Sequence, residues 1–178
     1  MNIKNRYSRA AIAAVLACWP IAQAHAADYF LRIDGIPGES LDDRHAGQIE
    51  VQSWSVSAAT PATASGKAKA ACLKDITFTK PLDKASPLLL ANAVSGMTIP
   101  TATFVAVKST SGGAALEYLR IDLKDVLVTS VQDAGSQGAT APVESITLGF
   151  GSLNLQYKAQ QANGSLGDAV QAMVKGGC

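Results

Sequence analysis

The chain has 178 residues, 48% of them hydrophobic and 16% charged, with 15 Lys plus Arg against 14 Asp plus Glu. Those proportions fit one globular domain and exclude a disordered or collagen-like chain. A formal net charge of +1 supplies no field for a polyelectrolyte, which excludes nucleic acid and an anionic membrane surface as partners.

The first 26 residues read as a secretory signal. Lys4, Arg6 and Arg9 form a positive segment, Ala10 to Ala22 is uncharged and mostly apolar, and Ala24-His25-Ala26 offers small residues at the spacing signal peptidase reads. Cleavage is expected after Ala26, giving an exported, periplasmic or extracellular protein of a Gram-negative bacterium. The apolar run falls short of the roughly 20 residues that cross a bilayer, so no membrane span is expected. Val15-Leu16-Ala17-Cys18 also resembles a lipobox, and acylation of Cys18 is the competing route. Removing residues 1–26 takes away three cations and no anion, which leaves 12 basic and 14 acidic side chains and a formal charge of −2.

Period-2 patterns dominate from residue 28 onward. Asp28 to Asp34 alternates Tyr29, Leu31 and Ile33 with Phe30 and Arg32, and Ile36-Pro37-Gly38 breaks the run. Ile49 to Ser57 is a second predicted strand, carrying Val51, Trp54 and Val56. Ala58 to Ala70, rich in Ala, Thr, Ser and Gly, has too little apolar content to bury itself. It is predicted as a long loop. Cys72 to Thr79 resumes alternation. Ser86-Pro87 opens the stronger of two predicted helices, with serine as the cap and proline at the first helical position, and Gly96 ends it. Thr101 to Lys108 is a strand, Ser109 to Ala115 a hairpin connection, and Leu116 to Val131 a long strand.

That long strand changes phase. Leu119, Ile121 and Leu123 share one parity and Val126 and Val128 the other, so a bulge near Asp125 is expected. The same switch separates Ile146, Leu148 and Phe150 from Leu153, Leu155 and Tyr157, with Gly149 and Gly151 between. Long bent strands and one short helix predict a mainly β fold, a small antiparallel β-barrel with one flanking short α-helix and its edges hidden by closure. Lys158 to Cys178 has no aromatic residue, and Ser165 to Val174 reads as a weak helix.

Chemistry is short of parts. Outside the signal there is one histidine, His45, and two cysteines, Cys72 and Cys178, too few for a structural zinc site. No C-x-x-C, H-E-x-x-H, G-x-S-x-G or G-x-x-x-x-G-K occurs, and Gly149-Phe150-Gly151 lacks the third glycine of a dinucleotide loop. Glu39, Asp42, Asp43, Arg44 and His45 form the one acid-rich cluster, best read as a solvated turn, with His45 as a surface or capping side chain. No catalytic residue, cofactor or metal is therefore expected. Cys72 and Cys178 are a candidate disulfide in an oxidising compartment, weighed equally against a buried Cys72 and a free Cys178.

Several ordered phrases resemble the haemolysin-coregulated protein (Hcp) family. They are Ile33-Asp34-Gly35-Ile36-Pro37-Gly38-Glu39-Ser40, then His45 to Val51 leading to Ser53-Trp54-Ser55, then Phe78-Thr79-Lys80-Pro81-Leu82-Asp83-Lys84-Ala85-Ser86-Pro87. Glu117 to Leu119, Leu123 to Ser130 and Glu144 to Tyr157 continue the likeness, which marks Gly35, Gly38, Glu39 and Trp54 as family-motif residues. The resemblance divides the chain into a signal over 1–26, an Hcp-like β-barrel domain over 27–161 and a C-terminal tail over 162–178. It implies a non-catalytic subunit that forms hexameric rings, and rings that stack into the tube of type VI secretion, with the spike protein and effectors as partners. The loop holding Thr60, Pro61, Ser65, Gly66 and Lys67 is the candidate ring-stacking element. The secretory signal motivates the alternative, an exported Hcp-like binding or adhesion barrel that works outside the secretion machine.

Overall fold

The computed structural model describes residues 27–59, 72–109, 115–138 and 141–176. Nine strands and one helix make up the fold: β1 (Ala27–Ile33), β2 (Ile49–Val51), β3 (Ser53–Ala59), β4 (Cys72–Pro81), α1 (Ser86–Ser95), β5 (Ile99–Ser109), β6 (Ala115–Ala134), β7 (Val143–Gly149), β8 (Ser152–Gln160) and β9 (Leu166–Lys175). Every pairing is antiparallel.

One hydrogen-bonded path runs β2-β1-β5-β6-β7-β4-β3, and β8 and β9 branch from β6. The path does not return on itself. Its two ends, β2 and β3, are separated by Gln52 alone, whose N–H bonds to the Thr79 carbonyl at 2.7 Å. The predicted second strand is thus broken into two, each serving a different layer.

β6 forms the opposite seam. Its first half pairs with β5 and β8, and its second half pairs with β7. The result is two layers: β2-β1-β5-β6-β8-β9, here sheet A, and β3-β4-β7-β6, here sheet B.

The predicted phase change in β6 is present, and it sits at Asp125. That residue takes a left-handed backbone with φ 52°, and a second shift against β7, between Val128 and Ser130, returns Val131 to the inward side. Leu119, Ile121 and Leu123 are buried before the switch and Val126 and Val128 after it. β7 and β8 flip at the same level, where the Gly151 N–H bonds to the Lys124 and Asp125 carbonyls. Both strands bend together, so the core-facing parity stays inside.

Between the layers lies an aliphatic core centred on Phe104. Tyr29, Trp54 and Phe78 surround it at ring-centroid distances of 5.9, 5.1 and 5.3 Å. A smaller cluster of Phe30, Val105 and Val107 sits on the outer side of sheet A.

Helix α1 corrects one local expectation. Its N-cap is Ala85, without a side-chain cap bond, and Ser86 lies inside the first turn with its side chain buried. The Asp83 carboxylate, accepting from the Ala85 N–H at 2.9 Å, holds the entry instead. Gly96 ends the helix in the left-handed region, as its place in the sequence suggested.

The C-terminal segment is a larger correction. Leu166 to Lys175 is a strand, not a helix, and it pairs along β8 from Ser152↔Lys175 to Gln160↔Leu166. The turn before it is closed by Gly164 N–H to the Gln161 carbonyl at 2.9 Å and Gln161 N–H to the Ser165 carbonyl at 2.8 Å, with Gly164 at φ 85°. Asn163-Gly164 is a strong hairpin signal. The apolar spacing of Val170, Met173 and Val174 imitates a helical stripe, yet these side chains are exposed, and the hairpin decides. Among the described residues β9 pairs only with β8 and is an open edge, so the sheet does not hide all its edges there.

Candidate functional site

The 38–48 segment is a knot of backbone and side-chain bonds. A Cβ on Gly38 would collide with the Gln48 backbone, and the Gly38 N–H bonds to the Gly47 carbonyl at 2.8 Å. Gly35, at φ 77°, takes a turn conformation that glycine adopts without strain. Glu39 Oε1 accepts from the Lys84 N–H at 3.0 Å, tying this segment to the entry of α1. Arg44 donates to the Ala115 carbonyl at 2.7 Å.

Asp42 Oδ1 accepts from the backbone N–H groups of Arg44 and His45 and from the His45 ring at 2.7 Å. The His45 bond holds the Asp42 carboxyl below the usual carboxylate range, against a smaller opposing desolvation. His45 is not a surface side chain. It is buried, with its ring stacked on Phe30 at 4.3 Å and 3°. Its ring therefore braces the loop against sheet A, while Asp43 remains on the exposed turn. The other marked motif residue, Trp54, packs half-buried on Phe104.

A second polar knot lies inside. Lys80 and Glu144 are register partners across β4 and β7, both fully buried. Lys80 Nζ donates to Glu144 Oε2 at 2.7 Å, the Pro81 carbonyl at 2.8 Å and Ser86 Oγ at 3.0 Å, and meets Asp83 Oδ1 at 2.8 Å. Ser86 Oγ in turn donates to Glu144 Oε2 at 3.0 Å. Strand pairing, the α1 entry and the 83–86 turn are thus locked at one point. Parity gives both residues away, since Lys80 follows Ile76 and Phe78 on the inward side and Glu144 precedes Ile146 and Leu148.

The outer faces of the two sheets differ in chemistry. Sheet A carries charges: Arg120 pairs with Asp122 at 2.9 Å and Glu117 at 3.5 Å, and Arg32 lies near Asp34. Sheet B presents hydroxyls. Alternation sends Trp54, Val56, Ile76, Phe78, Ile146 and Leu148 inward, and register then lines up Ser55, Thr77, Thr147 and Ser130 in one row. Ser53, Thr79, Ser145 and Gln132 form the next row. Thr77 and Thr147 hydroxyls meet at 3.2 Å, and Thr129 donates to Asp75 at 3.2 Å at the end of the face. No charged residue stands in either row. The two rows thus offer a neutral strip of weak donors and acceptors, with exposed Asp75 at one end of the face, and none of these hydroxyls has a base beside it in the two rows.

Among the described residues, no group of three or more His, Cys, Asp or Glu is placed to hold a metal ion. Ala24 and Ala26, the loop residues Thr60, Pro61, Ser65, Gly66 and Lys67, and Cys178 lie outside the described residues. Cys72 opens β4 opposite Ala59.

The family model described as "Type VI secretion system effector, Hcp" matches residues 30–157. The chain is 36% identical over 144 residues to the protein hcp1 of Pseudomonas aeruginosa, covering 79% of this chain and 88% of that one. Among solved structures it is similar to Hcp1 from Salmonella typhimurium, with a TM-score of 0.69 at 34% identity over 84% of this chain and 94% of that one. A type VI secretion system effector from Yersinia pestis matches with a TM-score of 0.68 at 35% identity, over 83% and 99% of the two chains.

Proposed function

The chain belongs to the Hcp family, the tube-type subunits of type VI secretion, and from that premise we propose that it assembles into hexameric rings that stack into a tube. It works as a non-catalytic wall. The observation that carries this reading is the hydroxyl-covered face of sheet B. Effectors passing along a wall must not adhere to it, and rows of neutral hydroxyls that bond water and one another hold no fixed charge or apolar patch to grip a cargo. That face is assigned to the lumen, and the ion-paired face of sheet A to the outside.

The 60–71 segment joins β3 to β4, both strands of sheet B, and its small polar composition suits contact with the next ring, where the spike protein caps the stack. Light scattering of the chain lacking residues 1–26 tests the ring: about six times the monomer mass is expected, and a monomer across concentrations overturns the reading.

A second reading is favoured by Ala24-His25-Ala26 behind an apolar stretch. An exported chain would act outside the cytoplasmic machine, as a binding or adhesion barrel of the same fold. Fractionation separates the two readings, since the machine role requires cytoplasmic protein and the second requires protein in the periplasm or medium.

A further inference from the structure

The tip of the β8–β9 hairpin brings two reactive groups of its own backbone and side chain together. Of Asn2, Asn5, Asn92, Asn154 and Asn163, only Asn163 precedes a glycine. Gly164 stands at φ 85°, and nothing lies within 4 Å of where a Cβ on it would sit, so its peptide nitrogen has no flanking atoms to shield it. Asn163 is exposed to water.

The turn also positions the other reactant. Asn163 Oδ1 accepts from the Ser165 N–H at 3.0 Å and from Ser165 Oγ at 2.8 Å, which closes an Asx turn around the Gly164 peptide and holds the carboxamide against it. The hydroxyl proton is shared, since Ser165 Oγ also reaches Gln161 Oε1 at 3.0 Å, but the backbone donor is committed. Both donors sit where negative charge develops when the Asn163 Cγ carbon is attacked, which is how an oxyanion is stabilised. The two other described asparagines lack this arrangement. Asn92 lies in α1 with its side chain donating to the Leu88 carbonyl at 2.8 Å, and Asn154 lies inside β8 with its Oδ1 accepting no hydrogen bond among the described residues.

We propose that Asn163 is a self-modification site, at which the hairpin tip converts its own asparagine to aspartate and isoaspartate. The Gly164 N–H first leaves the Gln161 carbonyl, to which it donates at 2.9 Å, by the local opening that exposed turns undergo. Its proton passes to hydroxide and its nitrogen bonds to Asn163 Cγ, while the Cγ–Nδ2 bond breaks and the amide departs as ammonia. Water then opens the resulting succinimide at either carbonyl. Water is the one co-reactant, and nothing is oxidised or reduced.

The product changes the edge of the sheet. Either acid adds a negative charge at the tip, and isoaspartate also inserts a methylene into the backbone of the turn. The Gly164-to-Gln161 and Gln161-to-Ser165 backbone bonds do not both fit the longer loop. Among the described residues β9 pairs with β8 alone, so the Leu166 end of β9 is released. This inference needs the hairpin and not the ring.

The test incubates the folded chain in mildly alkaline water enriched in oxygen-18, then maps tryptic peptides by mass in ordinary water. The peptide Ala159–Lys175 is expected to carry one heavy oxygen at position 163 and to separate into two products of equal mass, ahead of any change at Asn92 or Asn154. Asn163→Gln should lose the conversion, and Ser165→Ala, with one donor removed, should slow it several-fold. Asn163 intact in the folded chain while the urea-unfolded chain converts overturns the proposal. So does conversion at Asn92 or Asn154 as fast as at Asn163, and an unchanged rate in Ser165→Ala overturns the part given to that side chain. Hydrogen exchange over Leu166 to Val170 should be faster in the isoaspartate product, and unchanged protection overturns the release of β9.

Discussion

Lys80 and Glu144 face each other across β4 and β7 with neither side chain reaching water. Truncating one partner leaves an uncompensated buried charge, so Lys80→Met is expected to lower stability by about 3–5 kcal/mol, whereas Lys80→Met with Glu144→Leu should recover much of that loss. Urea unfolding of both variants checks it, and additive losses would contradict the coupling. Asp42 provides a pH-dependent contrast at the surface of the fold. Its carboxyl is held below its ordinary value chiefly by the His45 ring N–H, so the folded state favours the ionised form. Stability from this bond is present above the unfolded value of about 3.9 and disappears as pH falls through the lower folded value. Wild type should therefore exceed Asp42→Asn in unfolding midpoint near pH 6, with the gap closing below about pH 4. A gap constant with pH would assign the bond no ionic part.

At the scale of elements, the seam in β6 depends on a backbone conformation that aspartate adopts reluctantly. Asp125 sits at φ 52°, where a β-branched residue is more strained and glycine is relaxed. Asp125→Gly is expected to hold or raise the unfolding midpoint, and Asp125→Val to lower stability by about 1–2 kcal/mol; the reverse order in thermal melts would show that the side chain, not the backbone, fixes the bend. Gly38→Ala has no such freedom, because the new Cβ meets the Gln48 backbone, and overpacking of this kind costs about 1–3 kcal/mol. Much of this was legible in the sequence. Parity in Leu119 to Val128 discloses the bend, since a strand can change its buried side only by inserting or twisting a residue. β9 is hidden in the sequence because Val170, Met173 and Val174 mimic a helical stripe, although Asn163-Gly164 is the stronger signal. Lys80 and Glu144 are marked by parity alone, and a charge at an inward position reads as a strand end until its partner across the sheet is known. The hydroxyl rows were invisible for another reason: Ser55, Thr77, Thr147 and Ser130 are scattered over 93 positions of sequence, and only register brings them into line.

For the molecule as a whole, the proposed cleavage site lies at the boundary of the fold. β1 runs Ala27–Ile33 and Ala27 has Lys108 as its register partner, so the proposed cleavage after Ala26 would keep every residue of β1. The cut also changes the charge. The full chain is formally +1, and loss of Lys4, Arg6 and Arg9 makes the mature protein −2, so processed protein binds an anion exchanger more tightly than full-length chain at pH 7. Intact mass and N-terminal sequencing of protein from the periplasm or medium are expected to give a chain starting at Ala27. An acylated amino terminus at Cys18 would replace the free protein by an anchored one, because the lipid adds apolar surface that the membrane buries. Protein that keeps Met1 in the cytoplasm would overturn export and return the chain to a tube assembled inside the cell. In that case the leader would continue directly from β1 in every subunit, and a ring of six would carry 26 extra residues per copy at the β1 end. Light scattering of full-length and processed chains side by side then shows whether removing the leader is a condition of assembly, with rings expected from the processed chain alone.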